Sequence, residues 1–318
     1  MHDPTRLVQD FTGQFEQTAG RQCWVYAQIK HSRIGDDVIK VCDDASAELA
    51  PQPALCRILP RVCVKIDMEA SVALLRIAIP FYDRVWLLRH CLATLAKLTH
   101  REQVDFSIYL DHGYEPEALQ VINDLLPEAR TVTSARQLGA GGASHRILSD
   151  YADNPDTERL LIVDADMIVR TDLVATILDW PVRNDMIISV YNSCLHQPLH
   201  KSSAPFVHKK RLGATGTLWS PAVASLVIGN VPCAQYYDDR FSEFLVARNM
   251  PLCCTNSSLV QHLGVRGENN RAFGEIDYGL NYAPDGPEQT NAMAAVFDDM
   301  MSNQSFHARH PKRPGIPA

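Results

Sequence analysis

From residue 72 onward, apolar runs of strand length alternate with segments of helical periodicity, and this alternation is the strongest constraint on the fold. The run V-A-L-L-R-I-A-I-P predicts a strand closed by Pro80, and a leucine-rich stretch with helical spacing follows it. The order repeats through F-S-I-Y-L-D, A-R-T-V-T-S and L-L-I-V-D-A-D, each followed by a helix-like segment. Strands that alternate with helices indicate βαβ crossovers, so we expect an α/β fold with a mostly parallel central sheet flanked by helices.

The pattern divides the chain into three predicted parts. Residues 1–70 are irregular and are predicted to be an N-terminal extension, with strand-like runs in C-W-V-Y-A-Q-I and D-D-V-I-K-V-C. Residues 71–275 carry the alternation and are expected to form the α/β domain. Residues 276–318 lose periodicity and end in a basic, proline-rich stretch, which predicts a tail or a lid.

Composition narrows the class of protein. The chain has 318 residues, 46% of them hydrophobic, so it is expected to bury a substantial core. Lys and Arg number 30 against 37 Asp and Glu, a net charge of −7, which argues against a dedicated nucleic-acid-binding protein. Nine cysteines without a C-x-x-C pair favour free thiols in a reducing compartment over a zinc site. The sequence shows neither a signal-peptide pattern nor an apolar run of membrane-spanning length, so a cytoplasmic protein is expected.

Two aspartates, Asp164 and Asp166, follow the apolar run at residues 160–163. Ligands of open α/β sheets bind beyond the carboxyl ends of the strands, and these residues fall at such an end. Side chains two apart in an extended segment point to the same side, and paired like charges are costly unless a cation or a proton lies between them. Mg²⁺ or Mn²⁺ with oxygen ligands satisfies this need and can stabilise a departing diphosphate. The alternative is a turn at Asp166, and Asp172 is expected to cap the following helix.

The order of these segments resembles that of GT-A-fold glycosyltransferases, especially the large inverting family 2. Members open with an apolar strand, a Pro-x-Tyr-Asn-Arg-like sequence and a leucine-rich helix, and here the matching residues are Pro80, Phe81, Tyr82, Asp83 and Arg84. The resemblance, over roughly residues 74–265, implies a Rossmann-like GT-A domain with a nucleotide-binding half at 71–170 and an acceptor half at 171–275. It implies inverting transfer of a hexosyl or N-acetylhexosaminyl group from a nucleotide-diphosphate sugar, most simply a UDP-sugar. The acceptor is a glycan, a protein or a small molecule, and the sequence does not decide between them.

The resemblance also assigns the donor side of the site. Asp111, in S-I-Y-L-D-H-G-Y-E, matches the acid that contacts the nucleobase, although His112 replaces the family's second acid; a turn aspartate is the alternative. The segment R-Q-L-G-A-G-G-A-S-H-R matches the one that meets the diphosphate, because glycines let a ligand approach and a helix N-terminus favours phosphate. Trp219 is expected to stack on a sugar ring, and the alternative is that it is buried in the hydrophobic core. The implied nucleotide-sugar-binding residues are Pro80, Tyr82, Asp111, Gly139, Gly142, Arg146, Asp164 and Trp219.

The same resemblance assigns the metal ligands and the base. Asp164 is expected to face the ribose or sugar as well as the cation, Asp166 to bind Mn²⁺ or Mg²⁺, and His262 to be the third ligand. In Y-Y-D-D-R-F-S-E-F-L, Asp239 matches the catalytic base, with Asp238 beside it. A carboxylate within hydrogen-bond reach can take the acceptor's proton as the hydroxyl attacks. The alternatives are helix capping by the aspartates and a purely structural histidine.

Three other functions remain open. A nucleotidyltransferase shares such a sheet and acidic site, but it would want a glycine-rich loop after the first strand, where this chain has P-F-Y-D-R. A retaining transferase of the same fold is the second, because a fold does not fix stereochemistry. A non-catalytic GT-A-like binding scaffold is the third, and the departures from the family's pattern at His112, Gln137 and Ser144 leave room for it.

Overall fold

A computed structural model of the chain describes residues 73–199, 206–264 and 277–302, together with residues 15–16 and 24–25. The chain divides into two compact units, residues 1–70 and 71–318. In the first, strands β1 (Phe15–Glu16) and β2 (Trp24–Val25) form an antiparallel pair. The strand predicted in D-D-V-I-K-V-C and the proline-rich end of the chain lie outside the described residues.

The second unit is built on an eight-stranded sheet. Its strands are β3 (Leu75–Phe81), β4 (Val104–Leu110), β5 (Arg130–Thr133), β6 (Arg159–Ile162), β8 (Ile187–Ser189), β9 (Phe206–His208), β10 (Thr217–Trp219) and β11 (Leu252–Thr255). The spatial order is β5-β4-β3-β6-β10-β8-β11-β9. Strands β5, β4, β3 and β6 run parallel, as do β8 and β11, while β10 and β9 are antiparallel to their neighbours. The predicted α/β fold with a mostly parallel central sheet is therefore confirmed.

Helices cover both faces of this sheet. They are α1 (Val85–Leu95), α2 (Glu117–Leu125), α3 (Gly139–Asp153), α4 (Leu173–Leu178), α5 (Pro221–Ile228), α6 (Tyr237–Ala247) and α7 (Pro287–Ser302). In β3, Ile77 and Ile79 pack with residues of α1, α2 and α4, whereas Ala78 packs with residues of α3, α5 and α6. Burial on both faces explains why the strand sequences are unbroken apolar runs.

A second, two-stranded sheet brings distant parts of the chain to the edge of the first. Strands β7 (Met167–Val169) and β12 (Val260–His262) pair antiparallel, with His262 opposite Met167. The strand predicted through D-A-D is wrong at its end, because β6 stops at Ile162 and residues 165–166 form a turn. The Met167 amide closes this turn by donating to the Asp164 carbonyl at 3.0 Å. The turn redirects the chain from the main sheet into β7.

The segment predicted as a tail or lid contains helix α7. Ala292 and Val296 on this helix pack with Leu87, Ile168 and Leu263 in a small apolar cluster. Its apolar positions are mainly alanine and methionine, so its periodicity is weak in the sequence. No helix among the described residues is long and apolar enough to cross a membrane.

Candidate active site

The turn after β6 and the end of β12 place Asp166 and His262 side by side. The Leu263 amide donates to the Asp166 carbonyl at 2.8 Å, which fixes the two backbones against each other. His262 Nε2 lies 3.3 Å from Asp166 Oδ2, and Arg84 Nη2 lies 3.0 Å from the same oxygen. The Asp166 side chain is buried, whereas the Arg84 side chain is partly exposed. The predicted meeting of Asp166 and His262 thus has a structural cause in the β7–β12 ladder.

The charges at this site shift one another's pKa values. Burial and then the neighbouring Asp166 carboxylate raise the pKa of Asp164. Burial alone would raise the pKa of Asp166, but the charges of His262 and Arg84 outweigh it and hold that pKa below its usual range. Burial alone would lower the pKa of His262, but Asp166 outweighs it and raises that pKa. Asp164 is therefore the carboxylate whose charge is least well compensated.

The site residues fit a divalent cation in chemistry but not in arrangement. Two carboxylates and an imidazole are the oxygen and nitrogen donors that Mn²⁺ accepts. Within the ranges that the structure describes, no group of three or more His, Cys, Asp or Glu side chains is arranged to hold a metal ion. In the predicted set of Asp164, Asp166 and His262, the Asp166 oxygen is already shared by an arginine and a histidine.

Sequence reasoning did not assign a role to Arg84 or to Glu115. Arg84 precedes α1 in a left-handed backbone conformation, with φ 68° and ψ 55°. The Glu115 carboxylate accepts from the Arg84 amide at 2.9 Å and from the Val85 amide at 3.2 Å. Glu115 thus satisfies the start of α1 and fixes the point from which the Arg84 side chain reaches Asp166. The P-F-Y-D-R run carried the signal, because it places an arginine at the carboxyl end of the first parallel strand.

Asp111 lies at the carboxyl end of β4, as the sequence predicts, but its carboxylate holds backbone amides. It accepts from Leu138 N at 2.9 Å, from Gly139 N at 2.9 Å and from His112 N at 2.8 Å. The first two amides begin helix α3, so Asp111 supplies the anion that a helix N-terminus attracts. The predicted phosphate position at this helix start is therefore already occupied by a carboxylate of the chain.

The glycines of the α3 segment have structural reasons of their own. Gly139 has φ 68°, a backbone conformation that favours glycine. A Cβ on Gly141 would lie 3.0 Å from the Ala234 carbonyl oxygen, and one on Gly142 would lie 2.9 Å from Leu138 Cβ. Close packing explains Gly141 and Gly142, and Arg146 pairs with Asp150 of its own helix at 2.6 Å.

The adjacent acids at the start of α6 differ in their surroundings. Asp239 accepts from Arg211 Nη1 at 3.1 Å on the exposed side of the helix. Burial and then Asp239 raise the pKa of Asp238, and the charge of Asp238 in turn raises the pKa of Asp164. Neither aspartate caps the helix, because Tyr236 is the N-cap residue and no side chain bonds there. Of these two acids, Asp238 is therefore the one whose charge affects Asp164.

Trp219 is a core residue, and the sugar-stacking prediction for it is corrected. Its side chain is fully buried, its ring packs edge-on against Phe241, and its Nε1 donates to Thr217 Oγ1 at 2.8 Å. Its ring is thus enclosed by protein. Tyr82, by contrast, is 42% exposed beside Gly113, and Pro80 is half-buried at the end of β3.

No protein-family model matches the chain, and no curated protein does. Among solved structures, the chain is similar to the mannosyltransferase PcManGT from Pyrobaculum calidifontis in complex with GDP-Man and Mn²⁺, with 14% identity, a TM-score of 0.42, and coverage of 57% of this chain and 56% of that one. It is also similar to S. aureus TarS 1–349, with 14% identity, a TM-score of 0.44, and coverage of 71% and 65%. The similarity to TarS 1–349 in complex with UDP-GlcNAc has 13% identity and a TM-score of 0.44, and it covers 75% of this chain and 76% of that one. The chain thus spans 56% of the length of the PcManGT chain and 65% of that of TarS 1–349, and the similarity to both is distant.

Proposed function

We propose that the chain is a glycosyltransferase that moves a sugar from a nucleotide-diphosphate sugar to an acceptor hydroxyl. The observation that carries this proposal is the meeting of Asp166 with His262, 3.3 Å apart, at the carboxyl edge of the parallel strands. Asp164 is close enough to this pair, and Asp238 is close enough to Asp164, to exchange electrostatic effects. Acids gathered at this edge suit the binding of a charged ligand, because open α/β sheets bind ligands there. The order of the segments, which resembles that of GT-A enzymes, supports the same function.

On the donor side, we assign the nucleotide to the exposed Tyr82 ring, Pro80 and the turn at Gly113. Asp164 then faces the ribose or sugar, and Arg146, at the end of the segment matched to the diphosphate, contributes positive charge. Asp111, Gly139 and Gly142 contribute by fixing the start of α3. The proposed donor is a UDP-sugar that carries a hexosyl or N-acetylhexosaminyl group.

Asp164, Asp166 and His262 are the residues that would hold Mn²⁺ or Mg²⁺ in this proposal. When bound, the cation would neutralise charge on the diphosphate leaving group. The chain's own contribution is to bring carboxylates together at this point. Burial and the Asp166 charge raise the pKa of Asp164. Uncompensated negative charge of this kind favours a divalent ion.

We assign the base to Asp238 rather than to Asp239. The acceptor oxygen would attack the anomeric carbon on the face opposite the diphosphate, and its proton would pass to an Asp238 carboxylate oxygen. The bond between the anomeric carbon and the diphosphate breaks as the new one forms, so the product has the inverted configuration. The raised pKa of Asp238 strengthens that carboxylate as a base. Asp239 is engaged with Arg211 and would orient the start of α6.

The test is donor turnover by the full chain with UDP-sugars and with GDP-mannose, in the presence of Mn²⁺. Asp166→Asn and Asp238→Asn are each expected to lower turnover by about 10²-fold or more, the usual contribution of a positioned base or charge. Asp185→Asn is the matched control, because Asp185 is exposed and pairs with Arg183 two residues away. Wild-type turnover in both site variants would refute the proposal. Binding of a nucleotide sugar without turnover by wild type would favour the scaffold instead.

A further inference from the structure

Arg159, the first residue of β6, is a buried cation without a matching acid. It is 7% exposed, and its Nη1 donates to the Ile177 carbonyl near the end of α4. Its Nε is buried, and no acceptor among the described residues bonds it. Burial lowers the pKa of this guanidinium, and the charge of the exposed Glu158 offsets only part of that effect. A buried charge is costly unless it is paired, so this position favours an anion.

Arg159 lines a small cavity whose walls are otherwise mainly apolar. The cavity has a volume of about 20 Å³, and Met186, Ile188, Leu218 and Trp219 are among the residues that line it. A cavity needs about 10–15 Å³ to hold one water molecule, so this one takes a single occupant of about that size. Phosphate and sulfate, which have four oxygens around one centre, are too large for it. Apolar walls also disfavour a strongly hydrated ion.

The start of helix α5 adds a second donor to this cavity. Ser220 lines it, is buried, and caps α5 by accepting from Val223 N at 3.4 Å. Because the serine oxygen is the acceptor in this bond, its hydroxyl hydrogen is available to donate to a ligand. The first turn of a helix also carries partial positive charge, which favours an anion.

We propose that Arg159 and Ser220 form a binding site for one small monovalent anion of the halide class, with chloride as the expected ligand. Chloride is singly charged, weakly hydrated and close to water in size, so it matches both the charge and the volume. A water molecule would satisfy the Nε hydrogen but not the charge. The bound anion joins the start of β6 to the start of α5. Asp164 follows the opposite end of β6, so the inference does not rest on the proposed function.

The test is thermal unfolding of the full chain in sodium chloride and in sodium gluconate at equal ionic strength. Chloride is expected to raise the Tm saturably, by roughly 3–5 °C at about tenfold above its dissociation constant. Bromide should act in the same way, and fluoride, which is strongly hydrated, should not. Arg159→Met is expected to lose the response. Arg183→Gln is the matched control, because Arg183 lines the same cavity but already pairs with Asp185 at 2.8 Å.

Ser220→Asp covers the case in which Arg159→Met does not fold. Aspartate also caps helix starts, and its carboxylate would occupy the cavity as a tethered anion. This variant is expected to have a higher Tm than wild type in gluconate and no response to chloride. A wild type without a saturable chloride response would overturn the inference, since the cavity would then hold water. An unaltered response in Arg159→Met or Ser220→Asp, or an equal loss in Arg183→Gln, would overturn it as well. Donor turnover is not measured, so the proposed function stands or fails separately.

Discussion

Asp238 and Asp239 are neighbours in the sequence, yet the fold gives them different chemistry. Asp239 is held by Arg211 at 3.1 Å, and this ion pair satisfies its charge. Burial, followed by the charge of Asp239, raises the pKa of Asp238. A resemblance by sequence cannot separate the two, because helical rotation between adjacent residues decides which one turns toward Asp164.

The pH dependence of turnover tests this assignment. A base must be ionised to act, so the raised pKa of Asp238 places the acidic limb of kcat/KM above the ordinary aspartate range. Asp239→Asn removes the neighbouring charge, lowers the pKa of Asp238 and is expected to shift that limb to lower pH while activity persists. A pH–rate profile of wild type and Asp239→Asn measures the shift. Loss of activity in Asp239→Asn with an unshifted limb would return the role of base to Asp239.

At the scale of elements, one short loop organises two helices. The segment after β4 carries Asp111, which accepts from the first amides of α3, and Glu115, which accepts from the first amides of α1. Both helices therefore begin at the carboxyl edge of the sheet under the control of a single connection. Carboxylates suit helix starts, because the unpaired amides there carry partial positive charge.

Asp111→Asn separates the capping role from nucleobase recognition. It removes a charged acceptor from three backbone amides, so we expect the free energy of unfolding to fall by about 1–2 kcal/mol. Chemical denaturation without nucleotide measures this loss. Asp172→Asn is a control at another helix start, where no side-chain cap bond is present, and it should change stability less. Unchanged stability together with weaker UDP binding would show that Asp111 acts on the base instead.

Local periodicity explains what the sequence could predict about these elements. The strands at β3 to β6 and the helices at α1, α2 and α6 were predicted near their observed positions, because buried faces repeat at fixed spacing. Helix α3 begins earlier than its apolar residues suggested, since its first turn is rich in glycine. The sequence did not predict helix α7, because its apolar residues do not form a strong stripe along one face.

The sequence proposes residues for the candidate site, but it does not predict their contacts. Asp164, Asp166 and His262 were proposed from strand ends, and Asp239 was proposed as the base, with Asp238 beside it, from a helix start. The ion pair between Arg84 and Asp166 was not predicted, since it joins residues far apart in the chain. Burial of Trp219 was equally hidden, because only packing against Phe241 decides it. Contacts between distant segments depend on the assembled sheet rather than on any local pattern.

At the scale of the molecule, the second unit contains a complete core. Among the described residues, every buried apolar side chain lies between Leu75 and Val296, in clusters on both faces of the main sheet and around α7. The candidate site draws Arg84, Asp166, Asp238 and His262 from this unit alone. The described side chains of this core and of the candidate site all come from residues 71–318, which favours an independent domain.

A chain of residues 71–318 is therefore expected to fold by itself and to keep the site. We expect one cooperative thermal transition, because the clusters share strands and helices and cannot unfold separately. Mn²⁺-dependent stabilisation by a nucleotide diphosphate should match that of the full chain, since binding to the native state raises stability by mass action. Calorimetry with and without UDP and Mn²⁺ measures both. If the shorter chain folds but loses the ligand effect, residues 1–70 complete the donor site. If it does not fold, the core of the second unit depends on those residues.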